Sequence, residues 1–379
     1  MTVSPARRSA ALVLAAAAEL LLHSCAALTT TYGTPGPHPL VRPVPVRGTS
    51  LFDWKGIVHN HSRLSHDSEG TIEQMVEASK AAHIDFIVMT DHQTDASIAG
   101  GQRGMVGDTL FVVGAEVRSP QGTLICFPLT KPLRRFQHAA LLAKEAAAQG
   151  GLSFVCHAEL WKASWDVPGL AGAEIVNLHA GAITVDKIGT LGTALFLPMR
   201  TLCERICVRD PAVFAQWDAR LAQQHPFTPF GGNDAHENVR VFGPFGGTIG
   251  TYREIFQTLS THMLAAKLDE ASLVEAFAAG RTYVSFDVFG EGAGFDFRAE
   301  DGEGHVHLGG ASVPFGKDLT LRVVTPAAAR ILLLKDGHEV HRRSAMSLVV
   351  HAPPPGVYRV EVYTEGGDPW LFSSSIRVQ

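Results

Sequence analysis

Residues 84–92 read IDFIVMTDH, a short apolar run that ends in an aspartate and a histidine. A nearly continuous apolar run of this length is typical of a strand buried on both faces. Just upstream, residues 71–74 (TIEQ) have the form of a helix capping box, and apolar residues then recur at helical spacing. The segment therefore predicts a helix followed by a buried strand that ends in polar residues.

The same alternation continues from Leu51 to about Asp287. Further apolar runs (LFVVG, TLICFPL, LSFVC and EIVNL) are interspersed with helical segments such as the Ala-rich stretch at 136–149. Strands that alternate with helices indicate a parallel sheet, and at this length they favour a closed or nearly closed barrel.

Polar side chains follow these runs where each predicted strand ends. They are Asp91 and His92 after IDFIVMT, Glu116 after LFVVG, His157 after LSFVC, Asp234 and His236 after FTPFGG, and the segment HNHSRLSHD (residues 59–67) after the run at 55–58. Because the carboxyl ends of barrel strands converge on one face, residues far apart in sequence meet there. We therefore predict one polar rim rich in histidine and carboxylate.

Imidazole and carboxylate together suit zinc, manganese or iron, and the lack of clustered thiolates argues against a structural zinc site. His59 and His61 are two apart in a strand end, so both rings face the same side. The rim has too many ligands for one tetrahedral ion. Two or three divalent ions are expected, with a carboxylate such as Glu116 bridging them.

The motif set HNHSRLSHD, TDH, GAE, CHAE and GNDAH resembles that of the PHP (polymerase and histidinol phosphatase) family of metal-dependent phosphoesterases, over roughly residues 54–287. The resemblance implies a distorted (β/α)7 barrel and a metal-bridging water or hydroxide that attacks phosphorus in line. It implies ligands His59, His61, Glu116 and Asp234 at one site, His157 at a second, and His66, His92 and His236 at a third. Glu116, Asp234 and His236 are the residues to which it gives a catalytic role.

One departure from the family pattern concerns the second site. Family members often carry a histidine after the bridging glutamate, where this chain has Gly122-Thr123, so a two-ion enzyme is an alternative. Asp67 is an alternative ligand to His66. Around the ligands we expect Asp67, Asp91 and Glu174 as supporting partners, and Arg63, Arg118 and Lys162 as phosphate-binding residues, although basic residues beside loops are usually only solvated.

The regions outside the barrel have different compositions. Residues 1–25 resemble a lipoprotein signal peptide with Cys25 as the lipidated residue, and residues 26–50 form a Pro/Gly-rich linker. The barrel then spans 51–290, and strand runs punctuated by Gly and Pro predict an accessory β-sandwich at 291–379. An exported, membrane-anchored protein is expected; an ordinary secretory signal or a disordered leader is the alternative.

Composition limits the partners. The chain has 379 residues and a formal net charge of −5, and no basic stripe of the kind that nucleic-acid binding needs. The expected substrate is a small phosphoester, and no nucleic acid is expected. The alternatives are hydrolysis of a carbamate, carboxyl ester or amide at the same metal centre, or a non-catalytic metal-binding surface protein. Apart from Cys25, the cysteines are assigned no chemistry.

Overall fold

The computed structural model describes residues 42–161, 163–178, 201, 205–237, 239–240 and 248–379. They form a mixed α/β architecture with a large sheet and few helices. The predicted signal segment and most of the linker lie outside these residues. Among the described helices, none combines the length and the apolar character that a membrane crossing needs.

Among the residues that the structure describes, the first part of the chain contains fourteen strands. They are β1 (Val44–Pro45), β2 (Phe52–Asn60), β3 (Phe86–Met89), β4 (Gly104–Val106), β5 (Thr109–Val113), β6 (Ala115–Arg118), β7 (Thr123–Phe127), β8 (Leu152–Cys156), β9 (Leu170–Asn177), β10 (Thr228–Ala235), β11 (Val239–Arg240), β12 (Thr248–Ile249), β13 (Ser260–Ala265) and β14 (Thr282–Ser285). The described helices are α1 (Ile72–Ala82), α2 (Asp95–Gly100), α3 (Ala139–Ala147), α4 (Pro211–Gln223), α5 (Tyr252–Ile255) and α6 (Glu270–Ala278).

Helix α1 forms where the capping box predicts it. The Thr71 hydroxyl accepts from the amide of Gln74, and the Gln74 side chain accepts from the amide of Thr71. The helix ends at His83 in the left-handed conformation (φ 55°). Strand β3 follows and is buried at every position, as its apolar run predicts.

Parallel pairing runs through β5, β3, β2, β10, β9 and β8. Strand β7 lies antiparallel between β8 and β6. The predicted all-parallel arrangement is wrong at this point, because residues 119–122 are too few for the crossover that a parallel neighbour requires. An isolated parallel bridge links His92, just after β3, to Glu116 in β6. The ends of five strands, β2, β3, β6, β8 and β10, therefore lie close together.

The C-terminal part contains only strands among residues 291–379, all of which are described. They are β15 (Asp296–Glu300), β16 (Val306–Leu308), β17 (Ser312–Val313), β18 (Thr320–Lys335), β19 (His338–His351), β20 (Gly356–Tyr363), β21 (Pro369–Ser373) and β22 (Ile376–Val378). A hairpin turn at Lys335-Asp336-Gly337 joins β18 to β19, and Lys335 pairs with His338 across it.

The two parts of the chain are joined by strand pairing and by aromatic packing. Strand β14 pairs with β21, and the ring of Phe372 lies 5.0 Å from Phe214 and 5.4 Å from Phe286. The (β/α)7 barrel, the C-terminal sandwich and the boundary at 290 stay predictions.

Candidate metal centre

The two histidines of the H-x-H pair lie side by side at the end of β2. Their ring centroids are 5.3 Å apart, and both side chains are fully buried. The Nε2 atom of His59 lies 3.2 Å from Asp234 Oδ1 and 3.6 Å from Glu116 Oε2. The Nε2 atom of His61 lies 3.4 Å from each of the same two oxygens. Four side chains from three strands therefore converge on one point.

Glu116 faces histidines with both of its carboxylate oxygens. Its Oε2 atom also lies 3.3 Å from Nδ1 of His92, whereas its Oε1 atom lies 3.5 Å from Nε2 of His157. Asp234 Oδ2 lies 3.9 Å from the same nitrogen of His157. Glu116 thus has the position of a carboxylate shared between neighbouring ligand groups.

A third group of side chains adjoins His61. Asp67 Oδ2 lies 2.9 Å from His92 Nε2 and 3.5 Å from His236 Nε2. The ring of His236 stacks on that of His61 with centroids 4.3 Å apart, while the exposed ring of His66 lies 4.8 Å from that of His92. Asp67 therefore lies between His92 and His236. The sequence left Asp67 as an alternative ligand to His66.

The residues present fit bound divalent metal ions. The buried Nε2 atoms of His59 and His61 have no hydrogen-bond partner, although both point towards carboxylate oxygens. A buried polar atom without a partner is costly, and a metal ion would satisfy both nitrogens at once. Possible ligand atoms within 4.8 Å of one another are found in the groups His59–His61–Asp234, His61–His92–Glu116, His61–Asp67–His236 and His66–Asp67–His92.

The electrostatics of the cluster also favour a cation. Burial opposes protonation of His157, but the carboxylates of Glu116 and Glu159, at 3.5 and 3.7 Å, outweigh it and raise the pKa of His157 to about 11. Burial likewise opposes ionisation of Glu116, yet the imidazoles of His157, His59 and His61 beside it hold the pKa of Glu116 well below its usual value. Carboxylates that draw protons onto neighbouring imidazoles mark a site short of positive charge, which divalent ions supply.

Glu174 contacts two of the candidate ligands, His59 at its Nδ1 atom and His157 at its backbone amide. Its Oε1 atom lies 2.6 Å from His59 Nδ1, and its Oε2 atom accepts from the amide of His157 at 2.7 Å. Gly232 leaves space for this carboxylate, because a Cβ atom there would lie 1.6 Å from Glu174 Oε1. The side-chain nitrogen of Asn177 lies 3.4 Å from His59 Nδ1 and 3.3 Å from His157 Nδ1. A carboxylate on the far nitrogen of a ligand histidine fixes its tautomer and orientation.

Asp91 acts on the turn after His61. Its carboxylate accepts from the amide and, at 3.0 Å, from the hydroxyl of Ser62. The Asp91 carboxylate therefore holds the turn that follows His61.

Two residues that the sequence did not single out hold the backbone of the candidate ligands. The Ser68 hydroxyl lies 3.1 Å from the carbonyl of His61 and 2.7 Å from that of His236, and the Tyr252 hydroxyl donates to the His61 carbonyl. Both side chains are buried. A serine and a tyrosine 184 positions apart give no local pattern from which this role could be read.

Three of the candidate ligands have backbones in the left-handed region. The φ angles are 63° for His59, 48° for His157 and 51° for Asp234. Residues other than glycine adopt this conformation at a cost of about 1–3 kcal/mol each, and such strain clusters at active sites. The two rings of the H-x-H pair therefore do not project from a regular strand end.

Cys156 lies next to the cluster and was assigned no chemistry from sequence. Its Sγ atom is 3.8 Å from His59 Nδ1, on the side of the ring opposite Asp234, and it can be grouped with His59, Glu116 and His157 by distance. Burial raises the pKa of the Cys156 thiol well above its usual value.

Arg63 and Arg118, the predicted phosphate-binding residues, are both exposed two positions after a candidate ligand. Lys162 lies outside the described residues. At Thr123, where the family often has a histidine, the backbone carbonyl accepts from the indole of Trp161 at 2.9 Å.

Comparison with solved structures found distant likenesses. One is a two-domain protein containing a predicted PHP-like metal-dependent phosphoesterase from Bacteroides vulgatus, with 14% identity and a TM-score of 0.42 over 90% of this chain and 100% of that chain. Another is Endonuclease Q in complex with a 27-mer duplex with an abasic lesion, with 11% identity and a TM-score of 0.34 over 60% of this chain and 56% of that chain. No protein-family model and no curated protein matched.

Proposed function

We propose that this chain is a metal-dependent hydrolase that acts as a phosphoesterase. The observation that carries the proposal is the pair of buried, unpartnered Nε2 atoms of His59 and His61, which face the same oxygens of Glu116 and Asp234 at 3.2–3.6 Å. Two imidazoles and two carboxylates around one point are the ligands of zinc, manganese or iron in a catalytic site.

The side chains divide into three overlapping ligand groups. His59, His61, Glu116 and Asp234 would hold the first ion, His157 with the shared carboxylates the second, and His92, Asp67 and His236, with His66, the third. Bound there, divalent ions supply Lewis acidity and lower the pKa of a coordinated water. Glu116 is the shared carboxylate, since its two oxygens face different histidines.

The chain's own residues supply positioning. Glu174 would keep His59 in the tautomer whose Nε2 lone pair faces the ion, while Ser68 and Tyr252 fix the backbone of His61. Exposed Arg63 and Arg118 beside the centre suit a phosphate group. The net charge of −5 supports a small phosphoester over nucleic acid as substrate.

The same proposal includes the architecture and location expected from the sequence. The cycle of pairings from β5 through β10 to β6, with the bridge at His92, supports a distorted (β/α)7 barrel. The all-strand segment at 291–379 supports an accessory sandwich. Export with a lipid anchor at Cys25 is proposed from the sequence of the leader alone.

The test is elemental analysis of the purified protein, followed by hydrolysis assays after manganese, zinc or iron is added back to chelator-treated protein. The substrates are an activated phosphodiester, a phosphomonoester, a carboxyl ester and a DNA oligonucleotide. We expect at least two ions per chain and turnover of a small phosphoester. Turnover of the carboxyl ester alone would move the function to a different hydrolase, cleavage of DNA would contradict the small-molecule substrate, and bound metal without any turnover would indicate a non-catalytic protein.

A further inference from the structure

A second cluster of histidine and carboxylate side chains lies in the hairpin between β15 and β16. Residues 301–307 read DGEGHVH, and the chain reverses there, with the amide of Asp301 donating to the carbonyl of His305 at 3.2 Å. Strand side chains alternate between two faces. Val306 packs against the hydrophobic cluster of the C-terminal strands, so His305 and His307 share the opposite face.

Asp301 uses its two carboxylate oxygens differently. Oδ1 accepts from the backbone amides of Glu303 at 3.0 Å and of His305 at 2.9 Å, which fixes the carboxylate within the turn. Oδ2 lies 3.2 Å from Nδ1 of His305 and 3.0 Å from Nε2 of His307. A single oxygen therefore faces two imidazole nitrogens while its partner oxygen anchors it to the backbone.

These separations are close to those around a bound transition metal ion. Two ligands that each lie about 2.0–2.2 Å from a tetrahedral zinc ion are about 3.3 Å from each other. The carboxylate of Glu303 lies 3.6 Å from Nδ1 of His305 and supplies a further oxygen. Pairs of histidines two apart on a strand also present both rings on the same side.

We propose that Asp301, His305 and His307, with Glu303 as a fourth ligand, bind a divalent transition metal ion at the tip of this hairpin. Two imidazoles with carboxylates suit zinc, copper or nickel better than calcium or magnesium, which prefer oxygen ligands alone. The side chain of His305 is 66% exposed and that of His307 30%, so the ion exchanges with the surrounding solution. Bound metal would tie the turn to β16. The inference does not depend on the candidate metal centre or on hydrolase activity.

The experiment compares the zinc content of three full-length proteins. Each is stripped with a chelator and dialysed to equilibrium against a fixed concentration of zinc chloride alone, and elemental analysis compares the zinc inside and outside the dialysis membrane. The variants are His305→Ala/His307→Ala and, as the matched control, His338→Ala/His341→Ala, which also removes two exposed histidines from the C-terminal strands. Circular dichroism checks that all three proteins are folded.

We expect the His305→Ala/His307→Ala protein to bind one zinc ion fewer per chain than the unaltered protein, and the control to bind the same number. Calorimetric titration should show the same missing equivalent. Asp301→Asn, which keeps an oxygen for the two backbone amides, should lose it as well. Equal zinc content in all folded proteins would overturn the proposal and leave Asp301, His305 and His307 as a hydrogen-bonded turn. Glu116→Gln tests the other centre separately, because it leaves the hairpin unchanged.

Discussion

The carboxylate of Glu174 lies 2.6 Å from Nδ1 of His59, on the side of the ring that faces away from Asp234. Both residues are buried, and 115 positions of sequence separate them. With Nδ1–H donating to this carboxylate, the lone pair of a neutral His59 would lie on Nε2, the atom that faces the shared oxygens of the candidate centre. The pair therefore determines which atom of His59 can bind a metal ion.

Replacing Glu174 with glutamine should weaken metal binding while preserving the fold. Glutamine keeps the shape but not the charge that favours one tautomer of His59, and loss of such a partner lowers metal affinity about 10–100-fold. The measurement is zinc or manganese affinity by competition with a chelating dye. Glu361→Gln, at another buried carboxylate that binds Arg359 at 2.6 Å, should leave the affinity unchanged. Equal affinity in both variants would remove the positioning role of Glu174.

Gly232→Ala should displace the Glu174 carboxylate without altering any ligand. The added Cβ atom would lie 1.6 Å from Glu174 Oε1, so the carboxylate has to move away from His59. Overpacking of this kind costs about 1–3 kcal/mol of stability. The free energy of unfolding, measured with urea, and the metal affinity should both decrease. Gly100→Ala is the control, since a Cβ atom there meets nothing within 4 Å; a Gly232→Ala protein as stable and as metal-bound as this control would contradict the close approach.

Glu116→Gln should abolish hydrolysis in a protein that still folds. The substitution removes the shared negative charge that faces His61 and His157, so the loss of activity should exceed the about 10–100-fold effect of an outer partner. Steady-state turnover and metal content provide the measurement, and Glu77→Gln on the exposed surface of α1 is the control. Normal turnover by folded Glu116→Gln protein would exclude Glu116 from the reaction.

Tyr252→Phe should loosen the backbone of His61. The variant removes the hydroxyl that donates to the His61 carbonyl, a hydrogen bond worth about 0.5–1.5 kcal/mol. We expect a corresponding loss in the free energy of unfolding and weaker metal binding. Tyr358→Phe removes a comparable bond, to the carbonyl of Pro354 at 2.7 Å, and should affect stability alone. Were both variants to bind metal equally well, Tyr252 would be a purely structural residue.

Low pH should lower the free energy of unfolding, because the Glu291 carboxylate is protonated there. Burial raises the pKa of this carboxyl, but the nearby Lys55 ammonium, at 3.3 Å, outweighs it and lowers the pKa from 4.5 to about 2. A depressed pKa stabilises the folded state above the unfolded value of 4.5, and this contribution is lost as the pH falls towards 2. Urea unfolding of the unaltered protein and of Glu291→Gln should therefore differ most near neutral pH and converge in acid. The exposed control Glu365→Gln should show no such trend; a constant difference at every pH would exclude the ion pair as its cause.

The sequence predicts the meeting of the candidate ligands well, because strand ends converge whatever lies between them. His59, Glu116, His157 and Asp234 come from separate strands, and each follows or ends an apolar run that can be recognised locally. The start of α1 is equally local, since its capping box lies within four consecutive residues.

The contacts that hold these ligands in place could not be predicted in the same way. Tyr252 contacts the carbonyl of His61, which lies 191 positions away in the sequence, and no local sequence pattern around either residue predicts this contact. The antiparallel direction of β7 depends on the short link at 119–122. The apolar runs that predict the strands do not indicate this direction. The backbone conformation of His59 is likewise decided by its packing against the neighbouring strands and not by local preference.

The left-handed backbones of His59, His157 and Asp234 set the stability of the fold against the retention of these three side chains. Glycine, or to a lesser degree asparagine, would relax each position, so mutation and selection for heat resistance alone would erode the ligands one by one. Under the proposed function, selection for metal binding would oppose this loss. A homologue with glycine at all three positions would lack the ligands that the proposed metal centre needs.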